Sequence, residues 1–187
     1  MATAHLEGGF ADPPRTASYA FRALMTAMAR PGQIEDIAGA TPPAPLSPAA
    51  GTAILTLCDP DTPVYLAGGA DTEETRAWIA FHTGAPFTGP ATCSFAVGRW
   101  DALLPLTAYP IGTPEYPDRS ATLIVECDGL SQTGTRLTGP GIRDAAELAL
   151  PDPAAFAQNN ARFPLGLDFY FTAGTQIAAL PRSTRIG

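Results

Sequence analysis

Two kinds of hydrophobic pattern alternate along this chain: apolar positions at helical spacing, and short unbroken apolar runs. Phe21, Leu24, Met25 and Met28 stand at i, i+3, i+4 and i+7 behind Asp12-Pro13-Pro14, which predicts a helix with proline in its first turn. Arg30-Pro31-Gly32 ends it. PAAGTAILTLC (48–58) predicts a second helix, a turn follows, and Val64 to Ala67 predict a short strand. TEETRAWIAFHTGAP predicts a third helix, with an acidic first turn suited to the helix dipole and with Trp78, Ile79 and Phe81 along it. TCSFAVG is expected to be a buried strand.

The β-branched run ATLIVECDGL is the clearest strand, and a polar, glycine-containing break separates it from GTRLTGP, so the two are expected to pair antiparallel. IRDAAELAL and PAAFAQNNARF then predict helices, the second with Asp152 as N-cap and Pro153 after it. LDFYFTAGTQIAALP predicts a hairpin. This alternation implies an α/β layered (α/β/α) domain with a mixed sheet, a single domain over residues 1–187. Residues 1–11 are expected to form an N-terminal arm, and the proline-rich ATPPAPLSPAA (40–50) an extended surface linker.

Composition narrows the function classes. Twenty prolines among 187 residues are scattered between apolar runs, which describes stiff connections within a folded domain. The net charge of −7 argues against general nucleic-acid binding, which needs a basic surface to neutralise phosphates. All 11 residues of the Lys+Arg total are arginine. With no lysine, the chain offers no amine for a Schiff base with pyridoxal phosphate and no Walker A lysine. Cys58, Cys93 and Cys127 lie far apart without Cys-x-x-Cys spacing, so neither an iron-sulfur nor a zinc ligand cluster is expected, and no cofactor is assigned to this chain. MATAHLEGGFADPP lacks the charged segment and apolar core of a secretory signal, and no window approaches 18 apolar residues, so the expectation is a cytoplasmic protein with no membrane span.

Candidate chemistry lies on loops. Gly139-Pro140-Gly141 is expected to be a strand-to-helix turn first and an anion contact second, since Pro140 removes an N–H donor while Arg143, in the following first turn, could bind phosphate. GTPEYPDRSATLIVE (112–126) carries Glu115, Tyr116, Asp118, Arg119 and Ser120 on a stiff loop, either as a site or as a solvated acid–arginine pair. His82 is expected to serve structure at a helix end, and His5 lies in the arm, so the two do not make a metal site. CDPDTP reads as turn chemistry. Asp168, inside an apolar strand, requires a partner such as Arg182 or Arg162. LPRSTRI (180–186) suits an anion or an acidic neighbouring surface.

Seven segments in order, AFRALMTAMARPGQI, LCDPDTPVYL, WIAFHTGAP, PIGTPEYPDRSATLI, LTGPGI, FPLGLDFYF and LPRSTRI, resemble the PhnH family, a subunit of the bacterial carbon–phosphorus lyase system for phosphonate breakdown. The resemblance covers residues 10 to 186. It implies a fold like the large domain of pyridoxal-phosphate-dependent transferases without use of that cofactor, and a homodimer in a core assembly with PhnG, PhnI and PhnJ type subunits and a functional link to a PhnL-type protein. It implies support for transfer of the ribose triphosphate of ATP to a phosphonate with release of adenine, a reaction associated chiefly with PhnI, and no turnover by this subunit alone. No accepted catalytic residue transfers with it, so Glu115, Asp118, Arg119, Gly139, Gly141, Arg143 and Arg182 stand as ligand or interface candidates. The alternative is a stand-alone phosphate- or nucleotide-binding protein, or small-molecule enzyme, that uses these arginine-lined loops.

Overall fold

The computed structural model describes residues 6–187. Its centre is a six-stranded mixed sheet in the order β1 (Glu35–Asp36), β8 (Gln176–Leu180), β7 (Asp168–Ala173), β4 (Thr122–Glu126), β3 (Phe95–Arg99), β2 (Val64–Leu66). The four strands from β7 to β2 run parallel, and β8 and β1 are antiparallel additions at one side. A second sheet of three short antiparallel strands, β6 (Ala146–Leu148), β5 (Thr135–Thr138) and β9 (Arg185–Ile186), stands apart from it.

Strand alternation divides the core into two layers. Val97, Ile124 and Tyr170 point to one face, where they share a cluster with Leu24, Ile54, Trp78 and Ile79 of three helices, α1 (Pro13–Ala29), α2 (Pro48–Leu57) and α3 (Glu73–Thr83). Leu123, Val125, Phe169 and Phe171 point to the other, against Leu137 and Leu148 of the small sheet, Leu103, Tyr109, and Phe156 of α4 (Pro153–Asn160). Phe156 meets Phe169 edge-on at 4.9 Å and Trp100 at 4.8 Å, a favoured arrangement for aromatic quadrupoles. The layering is therefore helices on one face and, on the other, one helix with a small sheet and short turns.

The helices begin where local chemistry starts them. Ser47 Oγ accepts from Ala50 N at 3.1 Å, Thr72 Oγ1 from Thr75 N at 3.1 Å, and Asp152 Oδ1 from Ala155 N at 3.1 Å, each satisfying an amide the helix leaves open. α3 ends at Gly84, whose left-handed conformation (φ 69°) and N–H bond to Ala80 O close the last turn. Among the described residues no helix is long and apolar enough to cross a membrane.

Four sequence expectations are corrected. β4 does not pair with β5; it lies parallel between β3 and β7, because Leu123, Ile124 and Val125 are buried on both faces and belong in the sheet's centre. Residues 142–150 are not helical: Ala146–Leu148 pair with β5, and Leu148 turns into the core while Glu147 faces solvent. Good helix formers are overridden there by strand pairing and a period-2 burial pattern. The 40–50 stretch is no surface linker, since Leu46, Ala49 and Ala50 are buried, Ala40 N donates to Thr52 Oγ1, and Pro48 already opens α2. On α1 the buried face is Ala20, Leu24 and Ala27, while Phe21 and Met25 are 50% and 55% exposed. α1 packs on α2, whose Ala49, Ala50 and Ala53 join the same cluster; small residues on both helices allow close approach.

Candidate functional site

The sequence-derived candidates fall into two places. Glu115, Asp118, Arg119 and Arg182 gather at the amino ends of the parallel strands. Asp168 opens β7 and accepts from Arg182 through its backbone N at 2.8 Å and its Nε at 3.1 Å, with a closer contact from the terminal guanidinium nitrogen. The same guanidinium donates to Pro117 O at 2.6 Å and to Ser120 Oγ. Its donors are thereby engaged inside the chain. With side-chain exposures of 12% and 21%, Arg182 and Asp168 form a lock that ties the 117–120 turn to β7 and to the chain's last segment. Arg119 instead lies over the Tyr116 ring, 4.0 Å from its centroid, and Glu115 and Asp118 are exposed on the same loop.

Gly139, Gly141 and Arg143 sit elsewhere, on the connection from β5 to β6. Because a strand and not a helix follows, the turn has no helix N-terminus to offer an anion. Gly141 has φ 83°, and a Cβ there would lie 1.9 Å from Ala29 O, so the glycine serves the close packing of this turn against the end of α1. Arg143 is exposed. His82 reaches a carbonyl, but that of Leu6 at 2.9 Å, while Trp78 Nε1 donates to Glu7 O at 2.8 Å; together they dock the arm's residues on α3. His5 lies outside the described residues. In CDPDTP, Asp59 Oδ1 accepts from Asp61 N at 2.9 Å and Thr62 Oγ1 donates to Asp59 O at 3.0 Å, an internally satisfied turn.

A crevice at the opposite end of the sheet involves none of these candidates. In open sheets with parallel strands, ligands bind outside the carboxyl ends where neighbouring connections leave toward opposite faces. Here the chain leaving β2 turns at Gly68–Ala70 toward α3, whose Trp78 and Ile79 pack on the first face. The chain leaving β3 turns at Asp101–Leu103 and buries Leu103 on the second. Between them opens a cleft of ≈ 630 Å³ lined by the two turns and by Glu126, Cys127, Asp128, Pro45 and Ser47. A Cβ on Gly98 would stand 2.9 Å from Ala67 O, so this position must be bare for β2 and β3 to close up beneath the cleft.

Glu126 is the central polar group of the crevice. It closes β4, and its carboxylate accepts from Ser47 N at 2.7 Å and from Thr172 Oγ1 at 3.1 Å, joining the sheet to the start of α2. Burial pushes its carboxyl above the ordinary value, against the opposing pull of these hydrogen bonds and of Arg99. At the rim Arg99 pairs with Asp128 through two bonds of 2.9 and 3.0 Å, which hold the Asp128 carboxyl below its usual range. Burial raises the Cys127 thiol to about 11, so it stays protonated near neutrality and is a poor nucleophile. Cys58 and Cys93, raised by burial to about 12 and about 11, are equally inert. Asp101, Glu126 and Asp128 line the cleft with one arginine, Arg99, which Asp128 already pairs, so its lining carries an excess of carboxylates. One signal could have marked this place in the sequence: Arg99 and Glu126 each end an apolar run, FAVGR and TLIVE. A charged residue closing a buried parallel strand marks a sheet edge.

Comparison with known proteins agrees with the resemblance in the sequence. The family model described as bacterial phosphonate metabolism protein (PhnH) matches residues 8–187. The PhnH subunit of alpha-D-ribose 1-methylphosphonate 5-triphosphate synthase from Rhizobium meliloti (strain 1021) is 43% identical over 189 residues, covering 96% of this chain and 94% of that protein. HtxG of Stutzerimonas stutzeri, named as a candidate C–P lyase subunit, is 30% identical over 173 residues, covering 89% and 84%. With the match running through both core layers and both ends of the sheet, the chain belongs to the PhnH family of bacterial phosphonate metabolism proteins.

Proposed function

We propose that this chain is the PhnH-type subunit of a carbon–phosphorus lyase assembly that makes a ribose 1-phosphonate 5-triphosphate from ATP and a phosphonate, with release of adenine. The observation that carries this reading is the 43% identity to a subunit of that synthase across nearly the full length of both chains. The partners are PhnG, PhnI and PhnJ type subunits, with a PhnL-type protein acting alongside, in the cytoplasm. Bond making falls to those partners. This chain brings no lysine for a covalent pyridoxal phosphate adduct, and its thiols are held protonated. The large domain of pyridoxal-phosphate-dependent transferases is the fold it is proposed to share.

A homodimer forms part of the same proposal. Tyr19, Phe21 and Met25 on α1, Phe81 on α3 and Phe163 after α4 are large apolar side chains left between 50% and 63% exposed, surface that association would cover. The decisive experiment is reconstitution of ribosyl transfer to methylphosphonate from purified subunits with and without this chain. Transfer is expected only when it is present, and this chain alone is expected to be inactive; full transfer in its absence would sink the proposal.

A further inference from the structure

The amino ends of the parallel strands carry a second cleft, of ≈ 630 Å³, bounded by Thr92, Ser94, Thr122, Ser120, Asp118 and Arg119. Ser94 immediately precedes β3 and Thr122 opens β4, and Thr122 N donates to Ser94 O at 2.9 Å. Among the described residues their two hydroxyls make no hydrogen bond within the chain. Arg119 likewise forms no ion pair or side-chain hydrogen bond among the described residues, and its contact over the Tyr116 ring leaves the guanidinium N–H donors unengaged. Arg182, by contrast, is matched by Asp168 and directed to Pro117 O and Ser120 Oγ, so it supports the cleft wall without lending it a free donor.

We propose that this cleft binds a small tetrahedral oxyanion of the phosphate or phosphonate class, with Arg119 donating from its guanidinium edge and Ser94 and Thr122 from their hydroxyls. A planar guanidinium matches two oxygens of such an anion, and each hydroxyl donates one further bond. Asp118 is the opposing charge at the rim, so the site favours an anion only while Arg119 is in place. The site is separate from the carboxyl-end crevice, whose excess of carboxylates rejects the same ligand. Only the choice of a phosphonate as the natural occupant rests on the proposed function.

The test is calorimetric titration of the full isolated chain with methylphosphonate, with inorganic phosphate and with ATP; the titrant bound most tightly identifies the source of the oxyanion. Arg119→Gln is expected to weaken that binding by about tenfold or more, the loss typical of a charge-assisted hydrogen bond. Thr122→Val is expected to weaken it by roughly threefold, and Asp118→Asn to strengthen it. Arg143→Gln, an exposed arginine on another turn, is expected to leave it unchanged. Because Arg119 is a surface residue, circular dichroism of Arg119→Gln confirms that its fold is intact. No heat with any of the three ligands, or an equal loss with Arg143→Gln, overturns the proposal. Loss of ribosyl transfer on omitting the chain is a separate readout, so failure of this site and failure of the subunit role are distinguishable.

Discussion

The two ends of one parallel sheet carry opposite chemistry. At the amino end, Arg182 and Asp168 neutralise each other behind the surface, and Arg119 lines a cleft with Ser94 and Thr122, none of whose side chains is hydrogen-bonded among the described residues. At the carboxyl end the arginine, Arg99, is tied to Asp128, and the group left facing the cleft is the half-buried Glu126. The difference teaches that an edge's character is set by which charge is consumed in holding the fold together. An arginine count alone says nothing of this, since Arg99, Arg119 and Arg182 are alike in sequence and have three different partners: an exposed carboxylate, an aromatic ring and a partly buried carboxylate.

If the amino-end lock is structural, Arg182→Leu should be the most damaging change. It leaves the Asp168 carboxylate without its counter-charge and releases Pro117 O and Ser120 Oγ, for a loss of about 3 kcal/mol in urea denaturation. A midpoint close to wild type would show that the two ends are not divided as described.

Glu126→Gln should cost less, about 1 kcal/mol or below at neutral pH, because an amide oxygen still accepts from Ser47 N or Thr172 Oγ1 and relieves a buried charge. A loss equal to that of Arg182→Leu would make the carboxyl end a second lock and not a site. The pH dependence sharpens this. Burial raises the Glu126 carboxyl, so the folded chain takes up this proton at a higher pH than the unfolded chain does. Stability from this group therefore grows as pH falls through the folded value and levels off below the ordinary carboxylate value. The cost of Glu126→Gln, followed by denaturation from neutral pH downward, is expected to increase over that window; a pH-independent difference would remove Glu126 as the perturbed acid of the crevice.

The smallest effect is expected at the rim. Arg99 and Asp128 are 59% and 88% exposed, so Asp128→Asn should leave the denaturation midpoint unchanged within error and, in added salt, show no further difference. A clear loss would mean that the pair orders the loop after β4 and belongs to the fold.

Much of this architecture was legible from local chemistry. Helices with a capping hydroxyl or carboxylate and a proline in the first turn, at Ser47-Pro48 and Asp152-Pro153, begin where those residues stand, because the cap acts within three residues. The 168–180 hairpin was equally plain, and so was the need of Asp168 for a partner. The site was less legible. The loop residues Asp118, Arg119 and Arg182 do meet at one end of the sheet, yet Gly139, Gly141 and Arg143 belong to a hairpin turn packed on α1, and in the sequence Glu126 is only the tail of a strand.

The sequence by itself determined the class of fold, the absence of any amine side chain and the kinship with PhnH proteins, since each is written in residue identity or in spacing over a few residues. Tertiary structure alone decided that 146–148 would be a strand, that β4 would sit inside a parallel sheet, and which of Arg99, Arg119 and Arg182 would lack a carboxylate partner among the described residues. Those outcomes depend on partners as distant as Thr135 for Leu148, Asp168 for Thr122 and Pro117 for Arg182. The energy of pairing and of charge burial resides in such contacts, and local propensity is too weak to anticipate them.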